Sequence, residues 1–283
     1  MGEIALAAKI THVPSMYLSE LPGPHQGCRE QAIEGHRELS RRARARGVDT
    51  ILVFDVHWLV NSGYHINCNK RFAGIYTSNE LPHFIQDMSY SYEGNPELGR
   101  LIAEHANQRG VETRAHEIDS LELEYGTLVP CRYMNEDGYF KVVSIAGWCA
   151  WHTQAESRVF GEAVRSAIEA SDSKVMVLAS GSLSHRFHDN KDAAAGIHKI
   201  SREFYKQVDV RVLQLWESGQ WDIFTKMLPE YAETCHGEGG MHDTVMLLGM
   251  LGWDKYKGKV EVIGNYFASS GTGQVNAEFP LGE

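Results

Sequence analysis

The sequence predicts a layered α/β fold: a single domain over residues 1–283, with a central, mostly parallel or mixed sheet and helices on both faces. Three observations predict it. Short, continuous apolar runs of strand length recur along the chain, and amphipathic stretches of helical length lie between them. No Pro/Ser-rich linker, low-complexity tract or internal repeat divides the whole, which reads as an ordinary globular protein, 43% hydrophobic and 23% charged.

Taken in order, residues 4–10 form the first strand, and a polar amphipathic helix over 29–46 stops at Gly47. Residues 50–56 are the second strand. The next helix has clear ends: Asn95 caps it, Pro96 suits its first position, Gly110 closes it, and Leu98, Leu101 and Ile102 share one face. A strand over 140–146, a helix over 155–170 and a strand over 174–179 follow. Helices over 199–218 and 241–251 and a last strand over 260–267 complete the pattern.

The 27 basic and 37 acidic residues leave a formal charge of −10, which repels phosphate backbones and anionic lipid. Nucleic acid and membrane partners are therefore not expected. The cluster Arg41, Arg42, Arg44 and Arg46 reads as the solvated face of a helix. The longest apolar run, residues 245–253, is too short to cross a bilayer. Residues 1–6 carry neither a basic leader nor a myristoylation pattern. Cys28, Cys68, Cys131, Cys149 and Cys235 form no C-x-x-C pair, so free thiols in a reducing cytoplasm are expected.

In open α/β sheets, ligands bind beyond the carboxyl ends of the strands. Three strands here run into a histidine at that end. Residues 4–10 lead to His12, residues 50–56 to His57, and residues 174–179 through Ser180-Gly181-Ser182-Leu183-Ser184 to His185. His152, after the strand at 140–146, is a rival. One histidine after a strand is usually a hydrogen-bonded loop residue, and this chain has 14, but three at one topological position are harder to assign to coincidence. A cation held by imidazoles needs an anionic oxygen to complete its site. Glu238, in Gly237-Glu238-Gly239-Gly240, is the best candidate, since the glycines permit close backbone approach. A solvated turn is the plainer reading of the same residues. No G-x-S-x-G, H-E-x-x-H, Walker or G-x-G-x-x-G motif competes, and Gly271-Thr272-Gly273 reads as a tight turn close to the pocket.

At these residues the chain resembles the class III extradiol ring-cleaving dioxygenases, the superfamily of the protocatechuate 4,5-dioxygenase β chain. The resemblance spans essentially the whole chain. It rests on Thr11-His12-Val13-Pro14-Ser15, Phe54-Asp55-Val56-His57-Trp58, Ser180 through His185, Gly237-Glu238-Gly239, and Tyr76-Thr77-Ser78-Asn79-Glu80-Leu81-Pro82-His83. It implies that His12, His57 and Glu238 bind Fe(II), that His185 is an acid/base beside the metal, and that the chain forms a homo-oligomer. Its implied substrates are a small catechol and O2. Where some relatives carry Asp-His-Gly-Thr, this chain has Glu124-Tyr125-Gly126-Thr127. Tyr125 is thus open between a catalytic donor and a packed aromatic.

Two imidazoles and one carboxylate leave three positions on a six-coordinate iron, two for a catecholate and one for O2. The same donors suit zinc, so a zinc hydrolase is the alternative. A substrate carboxylate would need a local cation in so acidic a protein, and Arg132, Arg186, His188 and His236 are the unranked candidates.

Overall fold

The apolar runs become strands of one eight-stranded sheet in a computed structural model that describes residues 1–192 and 195–282. From the N-terminus the chain forms β1 (Glu3–Ile10), α1 (Ser15–Glu20), α2 (Glu30–Ala45), β2 (Thr50–Val60), β3 (Tyr64–Asn67), β4 (Arg71–Tyr76) and β5 (Met88–Glu93). It continues with α3 (Pro96–Gln108), β6 (Thr113–His116), α4 (Tyr125–Met134), β7 (Lys141–Cys149), α5 (Gln154–Ala170) and β8 (Lys174–Ser180). The last third holds α6 (Glu203–Glu217), α7 (Trp221–Thr234), α8 (His242–Leu251), β9 (Glu261–Val262), β10 (Phe267–Ser269), β11 (Thr272–Gln274) and β12 (Ala277–Glu278).

The large sheet runs β6-β3-β7-β2-β8-β1-β12-β9. Its centre, β7-β2-β8-β1, is parallel, while β3 against β7 and β12 against β1 are antiparallel, so the sheet is mixed as expected. Alternation along each strand assigns side chains to two layers. On β2, Leu52 and Phe54 join the core with Phe160 and Val164 of α5 and Val245 of α8. Ile51 and Val53 face the other way, onto Leu39 and Ala43 of α2 and Met134 of α4. Each fully buried aliphatic side chain contributes ~1.5–3 kcal/mol. Local signals agree with this packing: Asn95 accepts the Leu98 amide at 3.1 Å at the start of α3, and Thr153 with Glu156 forms a reciprocal cap on α5.

The parallel register puts the chemistry at one rim. Ile10 and Asp55 both lie opposite Ser180, so His12, Ser182 and His57 each follow that row by two residues. Beneath the rim, Lys9 and Asp243 form an ion pair at 2.5 Å with neither side chain exposed.

Three expectations need correction. The second strand does not end before His57; β2 runs on to Val60, and its register with β7 shifts between Asp55 and Leu59, so His57 lies in an irregular strand end. Residues 260–267 are not one strand. Gly264, at φ 83°, turns the chain out of the large sheet, so that β9 stays in it and β10 pairs with β11 in a separate hairpin. Helices α4 and α7 went unforeseen because each holds a proline in its interior, Pro130 and Pro229. The arginine cluster behaves as foreseen: Arg41, Arg42, Arg44 and Arg46 all pair with carboxylates, including Glu38, Asp137 and Glu278. Among the described residues, no helix is long and apolar enough to cross a membrane.

His36 of α2 is fully buried and stacks on Tyr133 with centroids 6.1 Å apart, and among the described residues neither ring nitrogen has a hydrogen-bond partner. Burial lowers its pKa to about 3. Between that value and the ~6.5 of an unfolded histidine, only the unfolded chain binds the proton. Stability is therefore fully present above ~6.5 and falls on acidification by ~1.4 kcal/mol per pH unit. Urea midpoints measured from pH 7 to pH 4 are expected to fall less steeply in His36→Leu than in the wild type.

Candidate active site

The cavity at the strand ends has a volume of about 560 Å³ and is lined by His12, Glu238, His185 and Tyr125. Four elements deliver them. His12 follows β1, His185 follows β8, Tyr125 opens α4, and Glu238 sits in the turn before α8. That turn needs its glycines: Gly239 and Gly240 have φ of 55° and 66°, and a Cβ on Gly239 would meet that of Val56 at 2.9 Å. The plainer reading of a solvated turn therefore fails, because Glu238 is buried.

Glu238 is the centre of the arrangement. One oxygen accepts the Ser182 amide, and the other lies 3.3 Å from His12 Nε2 and 3.6 Å from His185 Nε2. Burial alone would raise its pKa, but His185, His12 and the Ser182 amide outweigh that and hold it well below the usual carboxylate range. The group is thus an anion at neutral pH. The far nitrogen of His12, Nδ1, shares a 3.0 Å hydrogen bond with Ser180, whose hydroxyl donates to the Gly126 carbonyl at 2.6 Å. This fixes the ring and leaves Nε2 for the cavity.

His57 is less fully recruited. Its ring centroid is 6.3 Å from that of His12, and its nitrogens face Glu80 at 2.9 Å and Glu124 at 3.3 Å. Burial opposes its proton, yet those hydrogen bonds raise its pKa to about 10. Among the described residues, no three His, Cys, Asp or Glu side chains are already gathered so as to hold a metal. The donor set nevertheless fits a divalent ion: an anionic carboxylate, one oriented imidazole, and a second imidazole held by Glu124 and by Glu80, which is half exposed. To complete the set, His57 would have to turn from Glu80.

The Tyr125 ring lies against His57, with centroids 3.7 Å apart and the planes tilted by 36°, and 5.5 Å from His12. Burial, then the charges of Glu80 and Glu238, push its pKa far above that of free tyrosine, so the phenol keeps its proton. The loop joining β4 to β5 supplies Glu80, Leu81 and His83 to the cavity wall, which accounts for the stretch of residues 76–83 singled out above. The rival His152 lies elsewhere, bonded to the Gly63 carbonyl and stacked on Tyr64. The sequence reading missed Asp55 and Gln274. Buried Asp55 accepts the His57 amide at 2.8 Å and the Thr127 hydroxyl at 2.7 Å. Gln274 bridges Thr11 and Ser182, each at 2.6 Å. A polar residue inside an otherwise apolar strand was the available signal for Asp55.

This chain belongs to the catalytic LigB subunits of aromatic ring-opening dioxygenases, whose family model matches residues 6–280. That membership disfavours the zinc hydrolase alternative. Among individual relatives, it is 65% identical over 260 residues to the 3,4-dihydroxyphenylacetate 2,3-dioxygenase of Escherichia coli, covering 92% of this chain and 94% of that protein. The β subunit of 2-aminophenol 1,6-dioxygenase from a Pseudomonas species is 25% identical, over 84% of this chain and 82% of its own. An uncharacterized Escherichia coli K12 protein of known structure shares the fold, with a TM-score of 0.66 at 13% identity, covering 98% of this chain and 100% of that one.

A divalent ion such as Mn(II), added at a hundred times its Kd, stabilises a folded protein by ~2.7 kcal/mol. The wild type is expected to show the corresponding rise in Tm, and Glu238→Gln to show none while its circular dichroism stays unchanged.

Proposed function

We propose that this chain is an Fe(II)-dependent extradiol dioxygenase. It opens the ring of 3,4-dihydroxyphenylacetate with both atoms of O2, giving 5-carboxymethyl-2-hydroxymuconate semialdehyde. The observation that carries this reading is the 65% identity, over 92% of the chain, to a relative of that activity. His12, His57 and Glu238 hold the iron. When bound, the iron supplies open positions for catechol and O2 and the redox contact between them.

The remaining work falls to the protein. His185 borders the cavity with its Nε2 beside Glu238 and its ring packed edge-on against Phe187 at 4.8 Å. Its Nε2 would accept the second catechol proton and return it during ring opening. Tyr125 donates to Glu80 at 3.4 Å and, being held protonated, serves the reacting oxygens as a donor. Leu81 and Phe84 of the β4–β5 loop form an apolar wall that limits water.

The chain is further read as a cytoplasmic homo-oligomer. Its five cysteines are free, which suits a reducing compartment, and Leu59, Trp148 and Trp151 expose an apolar surface suited to a second copy.

Oxygen uptake by anaerobically iron-loaded protein across substituted catechols tests the activity. One O2 per ring and a yellow product are expected, and no uptake on any catechol refutes it. General acid–base help is worth ~10²–10⁴-fold, so His185→Ala is expected to lose that much turnover while retaining iron. Wild-type turnover in that variant would remove His185 from the chemistry. Tyr125→Phe separates the two readings of that residue: a slower kcat is expected, and an unchanged one assigns Tyr125 to packing.

A further inference from the structure

Arg29, immediately before α2, is buried, yet no carboxylate shares an ion pair with it among the described residues. Its guanidinium donates only to neutral acceptors. Nε reaches the Ser15 hydroxyl at 2.9 Å, Nη1 the Ala268 carbonyl at 3.2 Å, and Nη2 the Ile197 carbonyl at 2.9 Å and the Ser269 hydroxyl at 3.1 Å. Burial draws its pKa below that of free arginine. Taking a charge out of water is costly, and proteins normally compensate with an opposite charge. This chain carries a formal charge of −10, so carboxylates are plentiful elsewhere, and Arg42 alone meets Glu38, Glu261 and Glu278.

The uncompensated cation stands directly behind the cavity wall. Ile197 and Ser269, two of its acceptors, line the cavity, and so does His25. His25 lies 6.2 Å from His198, and burial, followed by the charges of Arg29 and His25, lowers the pKa of His198. The positive charge on this side thus comes from Arg29, whereas Glu238 and Glu80 make the other side acidic. A run of hydrogen bonds connects the two sides. Ser182 accepts from Gln274 at 2.6 Å, Gln274 also donates to Thr272 at 2.7 Å, and Thr272 donates to the Ser269 carbonyl at 2.6 Å. Arg29 thus adjoins the cavity through Ile197 and Ser269 and stands apart from the candidate metal ligands.

The cations considered from the sequence are poorer candidates. Arg132 is held in two hydrogen bonds by Glu20, at 2.8 and 2.6 Å. Arg186 and His236 are exposed and do not line the cavity. His188 does line it, with Nε2 3.2 Å from the Lys199 carbonyl.

We propose that Arg29, acting through the Ser269 hydroxyl, selects catechols that carry an anionic side chain. The ring diol is directed to the Glu238 side and the substrate carboxylate to the Ser269 side. Hydrogen bonding from the guanidinium polarises the Ser269 hydroxyl and makes it a stronger donor to an anion. Arg29 is a selectivity residue rather than a catalytic one, and its role rests on the ring-opening activity proposed above.

The test compares kcat/KM for 3,4-dihydroxyphenylacetate with that for 4-methylcatechol, a neutral catechol lacking the carboxylate, on iron-loaded protein. The wild type is expected to favour the acid. Arg29→Gln is expected to lower the ratio at least tenfold, mainly through KM for the acid, and Arg29→Lys to restore part of it. Ser269→Ala, which leaves the buried cation in place, is expected to lower the ratio as well and covers the case in which Arg29→Gln does not fold. A ratio unchanged in every variant that folds, or a wild type that treats both catechols alike, overturns the role of Arg29 while leaving ring opening intact. Failure of the wild type to consume O2 with either catechol overturns the activity itself.

Discussion

A carboxylate almost cut off from water must be surrounded by groups that stabilise its charge, and the rim of this sheet is organised around that requirement at Glu238. The Ser182 amide donates to one oxygen, while His12 and His185 approach the other. The partners come from two distant chain segments, so the anion draws the ends of β1 and β8 and the turn before α8 to one point. The parallel register makes this possible, since it brings His12 and Ser182 equally far past a shared row of backbone partners. An antiparallel pairing of the same strands would have sent them to opposite edges.

Much of this was legible in the sequence because it depends on local pattern. Four of the five strands expected from the sequence, the helix carrying Asn95 and Pro96, and the histidines at strand ends follow from periodicity and capping. Glu238 was legible through its flanking glycines. What escaped depends on tertiary context. Helix α4 is short and holds Pro130, yet packing of Leu128 and Val129 against Met16 and Ile33 stabilises it and places Tyr125 beside His57. The hold of Glu80 and Glu124 on His57 comes from a loop and a helix start whose proximity no spacing rule encodes. Arg29 was equally invisible, because its importance lies in what it lacks, and a missing counter-charge becomes evident only in three dimensions.

The comparisons divide along the same line. At 13% identity, the Escherichia coli K12 structure shares the layered architecture and nothing further follows from it. Much of the cavity lining lies on connections: the β4–β5 loop, the turn carrying Glu238, and the β10–β11 hairpin that supplies Ser269 and Thr272. A rigid parallel centre holds these connections at fixed distances, which lets specificity change without altering the sheet.

The position of β1 has a consequence for the order in which the molecule can be built. It lies in the sheet between β8 and β12, segments that follow it by more than half the length of the chain. During synthesis, the N-terminal strand leaves the ribosome long before either neighbour exists, and contacts so distant in sequence form slowly. His12 therefore meets Glu238 only after most of the chain has emerged. Any ion held by this pair would accordingly be taken up by the finished polypeptide, and the supply of active enzyme would depend on the ions present after release.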